Sequence, residues 1–214
     1  MSRFAILLGG DLMVSSRLRQ QLAGARFIAA DSGMKHARAL KIVPELWVGD
    51  FDSAGSELLL DYAEVPRKSF PVEKDATDGE IAAIEAMKLG ATQLILLGGL
   101  GGQADHATAH LAFALRMAQT GCSCFITNGS EEAYPIAPGN QEIKLAAGDR
   151  VSLVPWGDIG GLNIHGVKWP LDGVTVSLGS SLTLSNIATE TVRISITSGI
   201  GIAFAYPAIK DELI

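Results

Sequence analysis

Four short segments place carboxylates or glycines immediately after apolar runs. "AADSG" carries Asp31, Ser32 and Gly33, "VGDFDS" carries Asp50, Asp52 and Ser53, and "EKDATD" carries Asp75, Thr77 and Asp78. "GGLGGQADH" carries Gly98, Gly99, Gly101, Gly102, Gln103, Asp105 and His106. In an open parallel sheet, ligands bind beyond the carboxyl ends of the strands, where such loops fall. Carboxylates crowded at one sheet edge repel one another, and a hard divalent cation relieves the repulsion. Mg²⁺ completes its oxygen shell from one to three Asp and substrate phosphates, so an acidic site can hold an anionic nucleotide. Without side chains at Gly98, Gly99, Gly101 and Gly102, backbone N–H groups can approach phosphate oxygens, aided by the following helix N-terminus. Together these loops describe a Mg-nucleotide site.

Each segment alone has a plainer reading, so the weight rests on their convergence. Asp50 and Asp52 fit a solvated Asx-turn. Thr77 and Glu80 are spaced as a capping box, which leaves Asp78 complementing a helix dipole. "GGLGG" lacks the Gly-Lys-Ser/Thr of a Walker A loop and misses the Gly-x-Gly-x-x-Gly register. His106 and His110 stand one helical turn apart, but Ala-Thr-Ala between them supplies no general base and no third ligand is near. Packing or hydrogen bonding is their expected role. Cys122 and Cys124 read as reduced, buried residues too close in sequence to bridge. Of the tryptophans, Trp169 beside Pro170 is the ligand-facing candidate.

Strand and helix patterns alternate through the first 130 or so residues, in "RFAILLGG", "RLRQQLA", "RFIAADSG", "MKHARAL", "ELWVGDFDS", "SELLLDYA", "ATQLILLGG" and "CSCFITNG". The alternation predicts an α/β domain with a Rossmann-like parallel sheet. Two helices are signalled most strongly. One starts after Thr77 and runs through Ile81, Ile84 and Met87 to Gly90; the other follows Asp105 and ends near Gly121. Beyond Asn128 the chain changes to short β-rich runs split by Gly, Pro, Asn and Asp, which predicts an antiparallel β-sandwich. The expected division is residues 1–130 and 131–214, with the boundary near Gly129 to Gly139.

The 214 residues are 48% hydrophobic and 19% charged with a net charge of −6, enough for a real core and poor for a polyanion-binding surface. Nucleic acid is therefore not an expected partner. No apolar run approaches the roughly 18 residues that span a bilayer, and the opening "MSRFAILLGGDLM" lacks the long apolar stretch of a secretory signal. The expectation is a soluble, cytoplasmic protein with no membrane partner.

In order and spacing, "AADSG", "VGDFDS", "KDATD", "GGLGGQADH" and "LTLSN" resemble the thiamine pyrophosphokinase family, from Leu7 to about Phe204. The resemblance implies an N-terminal Mg-ATP domain, a C-terminal β-sandwich contributing to a thiamine pocket, and a homodimer with the site at the subunit interface. By the same resemblance, Asp50, Asp52 and Asp78 are the Mg²⁺-binding carboxylates. Asp31, Ser32, Asp75, Thr77, the segment from Gly98 to Asp105 with Gln103, and His106 bind ATP. Lys74, Ser185 and Asn186 belong to the thiamine side, and "GVKWPL" with Trp169 resembles a recurrent segment just before that motif. Two positions depart from the family pattern: Gln103 stands where many members have Arg, and Ile187 follows Ser-Asn where many bacterial members have Glu.

The implied reaction is attack of the thiamine hydroxyl on the β-phosphorus of ATP, giving thiamine diphosphate and AMP. It asks for positioning and charge neutralisation more than for a covalent nucleophile. Either Asp78 or Asp105 would take the hydroxyl proton. Two other readings share these loops: a pyrophosphokinase for another heterocyclic alcohol such as a pterin, and a non-catalytic nucleotide or thiamine sensor.

Overall fold

The computed structural model describes residues 2–52, 55–70 and 76–208. The chain divides into two compact units, Met1–His110 with Cys122–Gly129, and Leu111–Gly121 with Ser130–Ile214. No helix among the described residues is long and apolar enough to cross a membrane.

In the first unit six strands pair in parallel: β1 (Arg3–Leu7), β2 (Arg26–Ala30), β3 (Leu46–Gly49), β4 (Arg67–Ser69), β5 (Gln93–Leu97) and β6 (Ser123–Thr127). Their spatial order is β6-β5-β1-β2-β3-β4. Leu7 sits beside Ala29 and Leu97, and Leu97 in turn beside Thr127. Phe4, Ile6, Leu7, Ile28, Leu94, Ile95 and Leu97 are fully buried, as continuous apolar strands of a covered parallel sheet require. The chain steps outward from β1 to β4, then returns to β5 on the other side of β1. That reversal is a topological switch point, the place where open α/β sheets bind ligands.

Among the described residues five α-helices connect and follow the strands: α1 (Ser16–Gln21), α2 (Lys35–Leu40), α3 (Ser56–Asp61), α4 (Asp78–Lys88) and α5 (Ala104–Gln119). At α4 the expected capping box is complete. The Glu80 N–H donates to Thr77 Oγ1 at 3.2 Å, and the Thr77 N–H donates to Glu80 Oε2 at 3.3 Å. The helix packs on β1, β2 and β3 through Ile81, Ala82, Ala83 and Ala86, while Ile84 and Met87 stay exposed. Alanine, not the larger aliphatic residues, therefore makes the inner face. β4 gave no sequence signal because its three residues, Arg67, Lys68 and Ser69, are polar; such polarity suits an edge.

Among the described residues the strands β7 to β13 of the second unit pair with one another antiparallel. β7 (Glu132–Ile136), β13 (Gly201–Tyr206), β9 (Arg150–Pro155) and the start of β12 (Asn186–Ile196) form one layer. β8 (Gly139–Ile143), the rest of β12, β10 (Ile159–Val167) and β11 (Leu171–Val176) form the other. Ile136, Leu153 and Ala203 of the first layer share one apolar cluster with Ile143, Leu162, Val176 and Ile194 of the second. This is the expected sandwich, with β12 belonging to both layers. Cys124 is buried and Cys122 only half-buried, and neither is bridged.

Candidate functional site

The loops at the carboxyl ends of β1, β2, β3 and β5 and the N-terminus of α4 line one cleft of about 610 Å³ in the first unit. It gathers Asp31, Ser32, Asp50, Thr77, Asp78, Gly98, Gly101, Gly102, Gln103 and His106. Leu8, Gly9, Gly10, Gly79 and His110 also line it, beyond the residues expected from sequence. A Gly-Gly pair after the first apolar run was the available signal for Gly9 and Gly10. Three carboxylates face this cleft, yet among the described residues lining it there is no Lys or Arg.

Asp52, Gly99 and Asp105 do not line the cleft. The Asp52 N–H donates to Asp50 Oδ1 at 3.1 Å, the Asx-turn that sequence allowed. Gly99 packs inward, where an added Cβ would meet Ile126 Cγ2 at 2.6 Å. Asp105 Oδ1 accepts the His106 N–H at 2.9 Å in the first turn of α5. Ser53, Lys74 and Asp75 lie outside the described residues. Among the described residues no group of three or more His, Cys, Asp and Glu side chains stands ready to hold a metal. The donor set still suits a hard cation, because Asp31, Asp50 and Asp78 bring carboxylates to one cleft.

Backbone strain concentrates at these loops. Asp31 (φ 44°) and Phe51 (φ 66°) adopt left-handed conformations that cost about 1 to 3 kcal/mol each. Trp47 holds both in place. It is fully buried, its Nε1–H donates to the Asp31 carbonyl at 2.9 Å, and its ring packs T-shaped with that of Phe51 at a centroid distance of 5.1 Å. The Arg67 guanidinium lies over both rings, at 5.2 Å and 6.0 Å. The turn carrying Asp50 is thereby tied to the loop carrying Asp31.

On the other wall, β1 and β5 end in backbone packed against backbone. Gly98 has φ 73°, and a Cβ there would stand 2.9 Å from the Leu8 carbonyl oxygen and 3.1 Å from that of Gly10. His110 braces the glycine loop from α5: its Nδ1–H donates to the Gly99 carbonyl at 3.1 Å, the hydrogen-bonding role expected for it. Burial pushes its pKa below the usual imidazole value, so the ring is neutral at pH 7.

In the second unit, Ser185 (φ 58°) donates its backbone N–H to Ser152 Oγ at 2.9 Å. Asn186 is buried at the start of β12 and clamps Trp169 by both backbone groups, accepting from its N–H at 3.2 Å and donating to its carbonyl at 2.7 Å. Trp169 is 54% exposed, with Lys168 Nζ 4.7 Å from the centre of its ring. Asn186 thus acts on the surface through Trp169.

Two family models match the chain. "Thiamin pyrophosphokinase, catalytic domain" covers residues 20–126, half of the chain, and "Thiamin pyrophosphokinase, vitamin B1 binding domain" covers residues 140–200. The Thiamine pyrophosphokinase of Bacillus subtilis is 27% identical over 164 residues, which span 75% of this chain and 77% of that protein. The crystal structure of a B. subtilis thiamine pyrophosphokinase superposes with a TM-score of 0.85 at 24% identity, covering 97% of this chain and all of the other. The Candida albicans enzyme superposes with a TM-score of 0.74 at 14% identity, covering 96% of this chain and 89% of the other, so the likeness there is of fold. Both family models fall in order on the α/β part and the β-sandwich, and the chain belongs to the thiamin pyrophosphokinase family.

Proposed function

We propose that this chain transfers the pyrophosphoryl group of ATP to the hydroxyl of thiamine, with Mg²⁺, giving thiamine diphosphate and AMP. The observation that carries the reading is the cleft at the switch point, lined by Asp31, Asp50 and Asp78 with no Lys or Arg among its described residues. A triphosphate enters such a cleft only as a metal complex, met by backbone N–H groups. Mg²⁺ would be held by Asp50 and Asp78 of the cleft, with Asp52 on the same turn as Asp50, and would supply charge neutralisation on the phosphates.

The chain's own residues do the positioning. Gly98, Gly101 and Gly102 present backbone to the phosphates, with Asp31, Ser32, Asp75, Thr77, Gln103 and His106 on the nucleotide side. Of the two candidate bases, Asp78 and Asp105, it is Asp78 that lines the cleft and accepts the proton of the thiamine hydroxyl. Lys74, Ser185 and Asn186 belong to the thiamine side, where Asn186 acts by holding Trp169. In this reading the working form is a homodimer in the cytoplasm, the partner copy completing the site. Leu178, Leu182 and Leu184, all exposed on one short segment, support a surface that a second copy covers.

The test is to incubate the purified protein with Mg-ATP and thiamine and identify the products by mass spectrometry, with EDTA and no-thiamine controls. AMP and thiamine diphosphate in equal amounts, abolished by EDTA, is the expected result. ADP with thiamine monophosphate overturns pyrophosphoryl transfer. Nucleotide binding without turnover of thiamine overturns the acceptor.

A further inference from the structure

The loop after β1 carries no charged side chain into the cleft, yet two residues of α2 hold its carbonyls. Lys35 Nζ donates to the Gly9 carbonyl at 2.5 Å. His36 Nε2–H donates to the Gly10 carbonyl at 2.8 Å. A carbonyl can only accept, so the Gly10 bond fixes the proton on Nε2. His36 is 8% exposed, and burial lowers its pKa, which keeps the ring neutral.

We propose that Lys35 and His36 are positioning residues that turn the Leu8–Gly10 backbone into a phosphate-facing edge of the nucleotide cleft. In a trans peptide the C=O of one residue and the N–H of the next point in opposite directions, and the described residues contain no cis bond. Carbonyls of Gly9 and Gly10 drawn toward α2 leave the N–H groups of Gly10 and Asp11 pointing away from it. Leu8, Gly9 and Gly10 themselves line the cleft.

Space around the loop admits little else than bare backbone. A Cβ on Gly9 would lie 2.5 Å from Ser32 Oγ, and one on Gly10 would collide with the Gly98 carbonyl. The loop is therefore held from α2 on one side and abuts the β5 loop on the other. An anion entering among three carboxylates needs donors, and no Lys or Arg of the described lining provides them. Backbone N–H groups with pinned carbonyls are such donors, already oriented before the ligand arrives. Lys35 adds a positive charge behind the loop without entering the cleft.

This assignment rests on the nucleotide reading of the cleft, and the experiment separates the two. Binding of Mg-ATP is measured by calorimetry for the full-length protein, for Lys35→Met and His36→Leu, and for the donor-keeping Lys35→Arg and His36→Gln. The kcat and the KM for each substrate are measured alongside. Loss of one pinning bond is expected to weaken Mg-ATP binding about tenfold and to raise the KM for ATP, with the KM for thiamine unchanged. The Arg and Gln variants should stay within about threefold of the parent. Unchanged Mg-ATP affinity in folded Lys35→Met and His36→Leu overturns the proposal, as does an equal loss in the donor-keeping pair. If His36→Leu fails to fold, exposed Lys35 carries the test alone. A parent protein that binds Mg-ATP but leaves thiamine unreacted overturns the proposed reaction and spares this assignment; one that binds no Mg-ATP overturns both.

Discussion

Gly98→Ala tests whether the switch-point cleft depends on backbone approaching backbone. Two separate penalties act there. Alanine at φ 73° costs about 1 kcal/mol, as left-handed conformations do for residues with a Cβ. The new Cβ would also stand 2.9 Å from Leu8 O and 3.1 Å from Gly10 O, where ordinary contact begins near 3.4 Å. Both neighbours are backbone atoms that no rotamer change can remove, so the β1 and β5 loops must part by about half an ångström. Overpacking of that kind adds about 1 to 3 kcal/mol, for a total near 2 to 4 kcal/mol. Gly101→Ala is the control: it shares the left-handed backbone, with φ 85°, and lines the same cleft, but nothing lies within 4 Å of its Cβ. Thermal unfolding should therefore show Gly98→Ala several degrees below Gly101→Ala, at about 2 to 4 °C per kcal/mol for a chain of this size. In the coupled AMP-release assay, kcat/KM should fall about tenfold or more beyond the control, since misplacement of catalytic groups by 1 Å can cost a hundredfold. Equal melting temperatures and equal activities for the two variants would refute the close approach and the reasoning built on it.

Other substitutions separate charge from geometry. Asp50→Asn keeps an oxygen to accept the Asp52 N–H, so the turn and melting temperature should hold while turnover falls by two orders of magnitude or more; near-parent turnover sinks the metal assignment. Asn186→Leu removes both bonds to the Trp169 backbone and should raise the KM for thiamine with the KM for ATP unchanged, alongside a shift in tryptophan fluorescence. Glu85 is held below its ordinary pKa by hydrogen bonds from Lys68 and then Lys88. Its contribution is present above the unfolded value of 4.5 and lost as pH falls through the lower folded one. Melting curves from pH 6 to 3 should therefore drop more steeply for the parent than for Glu85→Gln, and parallel curves would discount the ion pairs.

Much of this architecture is legible in the chain because local signals agree with the tertiary answer. Thr77 and Glu80 mark the start of α4 by side-chain chemistry that needs no distant partner. Apolar runs ending in Asp31, Asp50 and Gly98 mark strand ends, and strand ends of a parallel sheet share one edge. What local pattern cannot show is which way a loop residue points. Asp50 and Asp52 are equivalent in sequence, but left-handed Phe51, seated on Trp47, stands between them, and only Asp50 lines the cleft. Gly9 and Gly10 read as the end of an apolar run because their surroundings come from distant chain: Gly9 abuts Ser32, and Gly10 abuts Gly98, 88 residues away. Lys35 and His36 read as an ordinary helix start, since nothing in a helical period signals a bond to a neighbouring loop.

The dual membership of β12 has a consequence for motion. Asn186 and Ile187 pair with β9, while Val192 through Ile196 pair with β8, and four residues of the same strand, Ala188, Arg193, Ile194 and Ser195, pair with β10. One continuous strand stitches both layers, so neither can fray without tugging on the other. Amide exchange in β9 and in β10 should then proceed through a shared cooperative opening of the unit, not through independent breathing of two sheets. The Ser185–Asn186 turn sits at the head of that stitch, which makes a would-be recognition motif also a fastener of the sandwich.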